Sequence, residues 1–429
     1  MKFYNLKDQS QVVDFETAVK TGLGRNQGLF FPKEIKPLDN ISELLTMDVW
    51  ERNFHILKPF VASNIDDNNL KAIIEKTFAF PSKLVPVNDN EYCLELFHGP
   101  TLAFKDFGAN FMANCLKSFA SGIPEGKTIT ILTATSGDTG AAVAHAFHGL
   151  KNIQVVILFP KGKISDLQQK MFTTLGDNIH TIAIEGSFDD CQQLVKQSFD
   201  QTELVEKVGL NSANSINISR LLAQVCYYFD GFAQLPENKR DQVVVSIPSG
   251  NFGNLSAAII AKVLGLPIKR FIAATNVNDT VPRYLQTGEW DPKETIATMS
   301  NAMDVSKPNN WPRIEYLMQS GQFSPDALSA TGVDEAQTEQ TLQDIFQTGY
   351  TSEPHAAVAY HGMHKSLKKP ETGIFLGTAH PAKFKSTVED ILNIDLSLPK
   401  ELAHCIVKED LCHEMIADFK VLEEFLYRL

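Results

Sequence analysis

One lysine lies in a segment whose neighbours suit carbonyl chemistry. Lys105 follows a Gly-Pro turn at positions 99–100 and stands between Phe104 and Phe107. Burial beside apolar side chains disfavours the ammonium ion, so the neutral amine becomes available as a nucleophile toward a carbonyl. Such an amine can form a Schiff base. The turn and Thr101 predict that a helix begins near the lysine. The alternative is a surface lysine whose stem packs on a helix face.

A glycine-rich turn farther along the chain is suited to binding an anion. It follows an apolar run at residues 242–247 and precedes a helical segment at 255–264. Glycine allows close backbone approach, and the first amides of a helix can point at a phosphate. The predicted anion-binding residues are Gly250, Asn251, Phe252, Gly253 and Asn254. The alternative is a tight turn that binds nothing.

Two further turns carry polar side chains after predicted strands. Ser136, Asp138 and Thr139 follow the β-branched run at 128–135. Asp138 could reach a ligand, or it could only cap the helix that follows. Thr378 follows an apolar strand, and its hydroxyl could bond a ring nitrogen without placing a charge beside it. It could equally be an ordinary residue at a strand end.

The elements that must position these residues alternate between strand and helix. Apolar, β-branched runs and helical segments follow one another at 153–159, 165–175, 179–185 and 188–199. This alternation predicts an α/β fold with parallel sheets and crossover helices, in which ligands bind at the carboxyl ends of strands. We therefore expect the lysine and the three turns to meet in one cleft.

The chain is long enough for more than one hydrophobic core, since single cores stop growing near 250–300 residues. Its 429 residues are divided here into an N-terminal domain, an α/β domain with the lysine, and a second α/β domain with the anion-binding turn and C-terminal helices. The predicted boundaries are 1–88, 89–240 and 241–429. The last helix is expected over residues 414–427.

Composition and charge argue against several classes of partner. The formal net charge of −12 disfavours nonspecific binding to nucleic acid or to an anionic membrane surface. The N-terminus lacks the apolar core of a signal peptide, and no apolar run reaches the length of a membrane span, so a cytoplasmic location is expected.

The six cysteines contain no C-x-x-C pair. The pairs at 404–405 and 412–413 are expected on one helix face, where four-ligand closure is unfavourable, so no metal site is predicted.

These motifs, in this order and spacing, resemble those of threonine synthase, of the longer kind found in bacteria and fungi. The resemblance covers essentially the whole chain. It is carried by the blocks at 98–107, 136–140, 214–217, 249–254, 276–282 and 377–381. It implies the tryptophan-synthase-β-like fold, fold type II of the pyridoxal-phosphate enzymes, with two parallel-sheet α/β domains and an N-terminal domain. The implied reaction converts O-phospho-L-homoserine and water into L-threonine and phosphate.

The resemblance also implies roles for single residues. Lys105 would form the Schiff base with pyridoxal 5'-phosphate, the turn at 250–254 would hold the cofactor phosphate, and Thr378 would meet the pyridine nitrogen. Asp138 stands where many relatives in the wider fold place an asparagine against the phenolic oxygen. A carboxylate facing a phenolate needs a shared proton or a nearby cation. The expected substrate-binding residues are Thr101, Ser136, Thr139 and Arg220, with Arg220 assigned to the substrate phosphate.

Two alternatives remain at the level of sequence. One is another enzyme of the same fold that catalyses β-elimination or β-replacement, of the serine/threonine dehydratase or cysteine synthase type. The long N-terminal region and the block at 276–282 argue against it. The other is a catalytically silent relative that binds phosphorylated amino acids, which the intact lysine, turn and threonine disfavour. The sequence leaves the oligomeric state undetermined.

Overall fold

The structure is a computed structural model that describes residues 1–120 and 128–429. The described strands are β1 (Phe3–Asn5), β2 (Asp8–Val13), β3 (Leu23–Gly24), β4 (Gly28–Pro32), β5 (Lys83–Asn88), β6 (Glu91–Glu95), β7 (Ile129–Ala134), β8 (Ile153–Pro160), β9 (Ile179–Glu185), β10 (Leu210–Asn211), β11 (Val243–Pro248), β12 (Ile268–Thr275), β13 (Leu328–Gly332), β14 (Thr372–Gly377) and β15 (His413–Ile416).

The described α-helices are α1 (Phe15–Thr21), α2 (Ile41–Leu44), α3 (Val49–Val61), α4 (Asp67–Thr77), α5 (Lys105–Ala120), α6 (Asp138–Phe147), α7 (Asp166–Thr173), α8 (Phe188–Asp200), α9 (Thr202–Val208), α10 (Ile218–Gln234), α11 (Gly253–Val263), α12 (Thr280–Thr287), α13 (Trp311–Gln319), α14 (Glu335–Gln347), α15 (Pro354–Ser366), α16 (Lys385–Leu392), α17 (Lys400–Ile406) and α18 (Phe419–Arg428). Short 3-10 helices occupy Arg25–Gln27, Glu237–Lys239, Asn301–Met303, Pro325–Ala327 and Pro381–Phe384.

The strands form three sheets. The N-terminal sheet is antiparallel, in the order β2-β1-β4-β3. A five-stranded parallel sheet has the order β10-β7-β8-β9-β15. A six-stranded sheet has the order β13-β12-β11-β14-β6-β5 and is parallel except for the edge strand β5. The predicted α/β class with parallel sheets is confirmed.

The sheets cross the predicted domain boundaries. Strands β5 and β6 lie beside β14 in the six-stranded sheet, although they straddle position 88 in the chain. Strand β15, near the C-terminus, pairs with β9 in the other parallel sheet. The domain boundaries at 88 and 240 remain a prediction, and the strands of both parallel sheets pair across them.

The predicted helix over 414–427 is wrong at its start. Residues His413–Ile416 form β15, and helix α18 begins only at Phe419. Pairing with the exposed edge of β9 overrides the local helical preference, as tertiary context often does for short segments. Helix α17 ends at Ile406, so Cys405 and Cys412 do not share one helix face as expected.

Helix α10 lies at the centre of the molecule. Every residue from 218 to 232 is buried, and the helix contacts α3, α5 and α11. A helix that is apolar on all sides needs neighbours on all sides. The few charged residues on α10, Arg220 and Asp230, are therefore buried with it. No helix within the described ranges is both long and apolar enough to cross a membrane.

Candidate active site

A cavity of about 650 Å³ opens beside the carboxyl ends of β7, β11 and β14. Parallel strands present their following turns at this edge, which is why distant motifs meet there. The cavity brings together nearly all of the predicted site residues. Those that line it are Lys105, Ser136, Asp138, Thr139, Arg220, Gly250, Asn251, Phe252, Gly253, Asn254 and Thr378.

The loop before Lys105 is fixed by pairing with the turn after β14. The amide of Phe104 donates to the carbonyl of Thr378 at 2.9 Å, and the amide of His380 donates to the carbonyl of Leu102 at 3.0 Å. An antiparallel bridge joins the residues between them. These bonds place Lys105, the first residue of α5, next to Thr378.

Burial lowers the pKa of Lys105 from 10.5 to about 8. The Asp138 carboxylate opposes this shift, while the positive charges of Arg220 and Lys383 add to it. The Lys105 ammonium lies 5.9 Å from the centre of the Phe104 ring. Phe107, predicted to flank the lysine, instead packs on other rings, including Phe80 at 4.7 Å. Near neutral pH a useful fraction of the Lys105 amine is therefore uncharged.

Thr101, predicted to bind substrate, is not among the residues that line the cavity. Its amide and hydroxyl donate to the Asp106 carboxylate at 2.9 and 2.5 Å. The turn must be glycine at Gly99, because a Cβ there would lie 2.4 Å from an Asp106 oxygen. Burial raises the pKa of Asp106 to about 6. The bonds between Thr101 and Asp106 thus stabilise the loop that leads into Lys105, on the side away from the cavity.

Asp138 pairs with a lysine that the sequence reasoning missed. Lys383 Nζ lies 2.5 Å from Asp138 Oδ1, and Gln168 donates to the same oxygen at 3.3 Å. Burial alone would raise the pKa of Asp138, but attraction to Lys383, and then to Lys105, holds the pKa well below its ordinary value. The sequence analysis expected a shared proton or a nearby cation at Asp138 and did not identify a cation. No local pattern around Lys383 pointed to this pairing.

Asp138 is not the N-cap of α6. The N-cap is Gly137, and the helix begins at Asp138 itself. The amides of Gly137 and Gly140 donate to the Thr135 hydroxyl at 3.0 and 2.8 Å. Because Thr135 satisfies these amides, the Asp138 carboxylate remains directed at Lys383 and the cavity.

The turn before α11 has the form of an anion cradle. Phe252 has a left-handed backbone (φ 60°) and caps α11 without any side-chain hydrogen bond. The first amides of a helix have no partner within it, and the first residues of α11 line the cavity. A Cβ on Gly250 would lie 2.6 Å from the Met303 backbone, and a Cβ on Gly253 would lie 3.3 Å from Asn310 Nδ2. The cradle therefore fits a phosphate bound by backbone amides.

The two asparagine side chains of this turn are engaged elsewhere. Asn251 donates to the Ser215 hydroxyl at 2.7 Å. The side-chain oxygen of Asn254 accepts from the Tyr227 and Tyr228 hydroxyls, each at 2.5 Å. Asn254 Nδ2 is buried and has no partner among the described residues, so Asn254 offers a free side-chain donor at the cavity wall besides its backbone amide.

Arg220 is a buried cation at the cavity wall, with 1% of its surface exposed. One of its nitrogens donates to the carbonyl of Ala213, while Nε has no partner among the described residues. Burial lowers the pKa of Arg220 to about 10. A buried guanidinium with an unsatisfied donor is suited to an anionic ligand.

The block at 276–282 organises another part of the cavity wall. The side-chain amides of Asn276 and Asn278 donate to Asp304 at 2.9 and 3.3 Å. Asp304 also accepts from the Thr298 hydroxyl at 2.7 Å. The asparagines thus hold the segment at 298–304, part of which lines the cavity. Within the described residues, no group of three or more His, Cys, Asp or Glu is placed to hold a metal ion.

Family models match three parts of the chain. "Pyridoxal-phosphate dependent enzyme" matches residues 81–375, "Threonine synthase N terminus" matches 2–78, and "Threonine synthase, C-terminal" matches 356–426. The threonine synthase of Haemophilus influenzae is 58% identical over 100% of both chains, and that of Escherichia coli is 57% identical over 99% of both. The chain belongs to the threonine synthase family. The predicted family is confirmed.

Solved structures of this family have the same fold. The crystal structure of threonine synthase from Escherichia coli is 56% identical and matches with a TM-score of 0.95 over 100% of both chains. A threonine synthase from Brucella melitensis with bound pyridoxal phosphate is 32% identical, with a TM-score of 0.91 over 100% of this chain and 99% of that one. The predicted fold type and the predicted cofactor, pyridoxal phosphate, are confirmed. The lysine and the phosphate cradle described above fit that cofactor.

Proposed function

We propose that the protein converts O-phospho-L-homoserine and water into L-threonine and phosphate, with Lys105 as the residue that holds the cofactor. One observation carries this proposal. A single cavity contains a lysine of lowered pKa, the uncapped N-terminus of α11 and a buried arginine with an unsatisfied donor. These groups supply an amine that can attack a carbonyl and two separate anion sites. The reaction requires two such sites, since cofactor and substrate each carry a phosphate.

Each anion site suits one phosphate. The amides at 250–254 bind the cofactor phosphate, because glycine there lets the backbone approach closely. Arg220 binds the phosphate of the substrate through a charge-assisted hydrogen bond. Thr378 bonds the ring nitrogen with a hydroxyl, which adds no negative charge at that position. Bound pyridoxal phosphate supplies an electron sink for negative charge at carbon.

Lys105 would have a second role whenever its amine is not attached to the cofactor. Its free amine moves protons among Cα, Cβ and Cγ of the substrate, while phosphate leaves from Cγ and water adds at Cβ. A pKa of about 8 suits this task, because both the amine and the ammonium are accessible near neutral pH. Ser136 and Thr139, on the same cavity wall, provide hydroxyls for the substrate.

The proposal is tested by separate incubations with O-phospho-L-homoserine, free homoserine, serine and threonine, followed by assays for threonine, phosphate and keto acid. We expect threonine and phosphate from the first substrate and no reaction with free homoserine, since hydroxide is a poor leaving group. Keto acid formation from serine that is faster than threonine formation from O-phospho-L-homoserine would favour the dehydratase alternative. No product from any substrate would favour the silent relative.

Two sets of variants test the residue assignments. Borohydride trapping followed by peptide mapping should place the cofactor on Lys105 and show no adduct in Lys105→Ala. Arg220→Ala and Arg220→Lys should raise KM for O-phospho-L-homoserine while changing the affinity for pyridoxal phosphate little. Arg240→Ala is a matched control, because Arg240 also donates to backbone carbonyls but lies outside the cavity. An adduct on another lysine would overturn the assignment of Lys105.

A further inference from the structure

A second buried lysine lies behind the cavity wall. Lys383 is 1% exposed, and its Nζ lies 2.5 Å from Asp138 Oδ1. Asp138 lines the cavity, whereas Lys383 is not among the lining residues. Lys383 therefore acts on a bound molecule indirectly, and Asp138 is its nearest link to the cavity.

The charge of Asp138 depends on this partner. Its side chain is 5% exposed and that of Lys383 is 0% exposed, so water screens the pair little. Burial favours a protonated carboxyl, and Lys383 makes the largest contribution in the opposite direction. Removing Lys383 would leave a buried carboxylate whose main positive neighbour is gone.

Lys383 also ties two elements together. Its Nζ donates to the carbonyl of Thr101 at 2.8 Å, in the loop that leads into Lys105. Thr101 in turn is bonded to Asp106 in the first turn of α5. The lysine thus sets the position of Asp138, at the start of α6, relative to the Lys105 loop.

We propose that Lys383 is a positioning residue that keeps Asp138 ionised and fixed at the cavity wall, so that Asp138 accepts a hydrogen bond from the phenolic oxygen of bound pyridoxal phosphate. The inference rests on the proposed cofactor site. Two facing anions would repel each other, and the proposal places one proton between Asp138 and that oxygen. Lys383 makes Asp138 the poorer base, and the proton stays on the cofactor.

Several other charged or titratable groups act on this pair and must be considered in any pH experiment. Lys105 and His355 also favour the ionised form of Asp138. Asp106, His145 and His380 interact with the charge of Lys383. Because these groups are common to all variants below, differences between variants report the pair itself.

The experiment is a double-mutant cycle with Lys383→Met, Asp138→Asn and the double variant. The first readout is the dissociation constant of pyridoxal phosphate, titrated into apo-protein. The second is the visible absorption of the bound cofactor between pH 6 and 9. We expect Lys383→Met to weaken cofactor binding about tenfold and to introduce a pH-dependent change in absorption. In the Asp138→Asn background, Lys383→Met should weaken cofactor binding by less than about threefold. The absorption of the bound cofactor should then show no added pH dependence.

Two further variants make the result interpretable. Lys383→Gln removes the charge but keeps a hydrogen-bond donor, and it replaces Lys383→Met if that variant fails to fold. Lys385→Met is a control for lysine loss two residues away, where the side chain bonds to Glu389 and Asp395. Equal effects of the Lys383 change in both backgrounds would overturn the inference and leave Lys383 as a structural contact only.

Failure of the proposed function would be recognised separately. A parent protein that forms no borohydride-trapped adduct at Lys105 and releases no phosphate from O-phospho-L-homoserine refutes the proposed function, and with it this inference. A parent that passes both tests but shows additive effects in the cycle refutes only the role of Lys383.

Discussion

The Lys105 amine lies between opposing charges, and its protonation decides when it can attack a carbonyl. Burial lowers its pKa, Asp138 raises it, and Arg220 and Lys383 lower it further. Arg220, which we propose as the ligand of the substrate phosphate, therefore also helps to keep the lysine reactive. Activation of the lysine and recognition of phosphate are thus linked by electrostatics.

Schiff-base formation by apo-protein should follow this pKa. Since only the neutral amine reacts, the rate of reaction with pyridoxal phosphate should rise with pH and show a midpoint near 8. Stopped-flow absorbance over pH 6–10.5 measures the profile. Asp138→Asn removes an attraction to the ammonium, so its midpoint should move to lower pH. A parent midpoint near the ordinary lysine value of 10.5 would contradict the expected effect of burial.

Gly253→Asp should weaken binding of pyridoxal phosphate by at least about tenfold. The new side chain would crowd Asn310 and place a negative charge beside the cofactor phosphate. Equilibrium titration of apo-protein measures the change. Gly162→Asp is the control, because a Cβ at Gly162 meets nothing within 4 Å and aspartate tolerates its left-handed backbone. Unchanged affinity in Gly253→Asp would show that the turn is only structural.

Strand β14 carries Thr378 to the cavity and is anchored at its start by Glu371. The Glu371 carboxylate, 4% exposed, lies 2.7 Å from Arg270 and 2.9 Å from Lys269, both on β12. Burial opposes ionisation, but the bonds to Arg270 and Lys269 lower the pKa of Glu371 from 4.5 to about 2. The charge cluster thus fixes β14 within the six-stranded sheet.

Glu371→Gln should lower the free energy of unfolding by about 2 kcal/mol near pH 7. Because the folded pKa is below the unfolded one, this contribution is complete above pH 4.5 and is lost as pH falls toward about 2. Urea unfolding at several pH values measures the difference between parent and variant. Asp67→Asn, in the exposed pair with Lys58, should change stability by less than about 1 kcal/mol. If the difference in unfolding free energy between the parent and Glu371→Gln grew as the pH fell, the stabilising role of ionised Glu371 would be contradicted.

A buried ion pair joins the N-terminal region to the central helix α10. Arg52 on α3 lies 2.8 Å from Asp230 on α10, and their side chains are 7% and 5% exposed. Burial nevertheless raises the pKa of Asp230 to about 6, with Arg52 opposing this shift. The same helix carries Arg220 at its other end, so this joint helps to hold the cavity wall.

Arg52→Ala should cost about 3–5 kcal/mol of unfolding free energy, because it leaves Asp230 buried without its partner. Arg25→Ala is the matched control, since the Arg25–Asp8 pair is largely exposed and should contribute less than about 1 kcal/mol. Chemical denaturation measures both variants. An Arg52→Ala protein within about 1 kcal/mol of the parent would show that apolar packing alone holds the N-terminal region on α10.

The residues of the site that belong to local motifs were predictable from the sequence. Lys105 in its turn, the glycines at 250 and 253, and Thr378 after its strand each depend on short-range chemistry. The alternation of strands and helices then indicated that they meet at one sheet edge. The family followed from the order and spacing of these motifs, and the comparisons confirmed it.

Contacts between distant segments were decided only by the tertiary structure. Lys383 is 245 positions from Asp138, and no local pattern selects it from the other lysines. Thr101 faces Asp106 instead of the cavity, and β15 pairs with β9 where a helix was expected. Backbone propensity and turn chemistry act over a few residues, whereas pairing of buried charges and sheet edges depends on which segments the whole fold brings together.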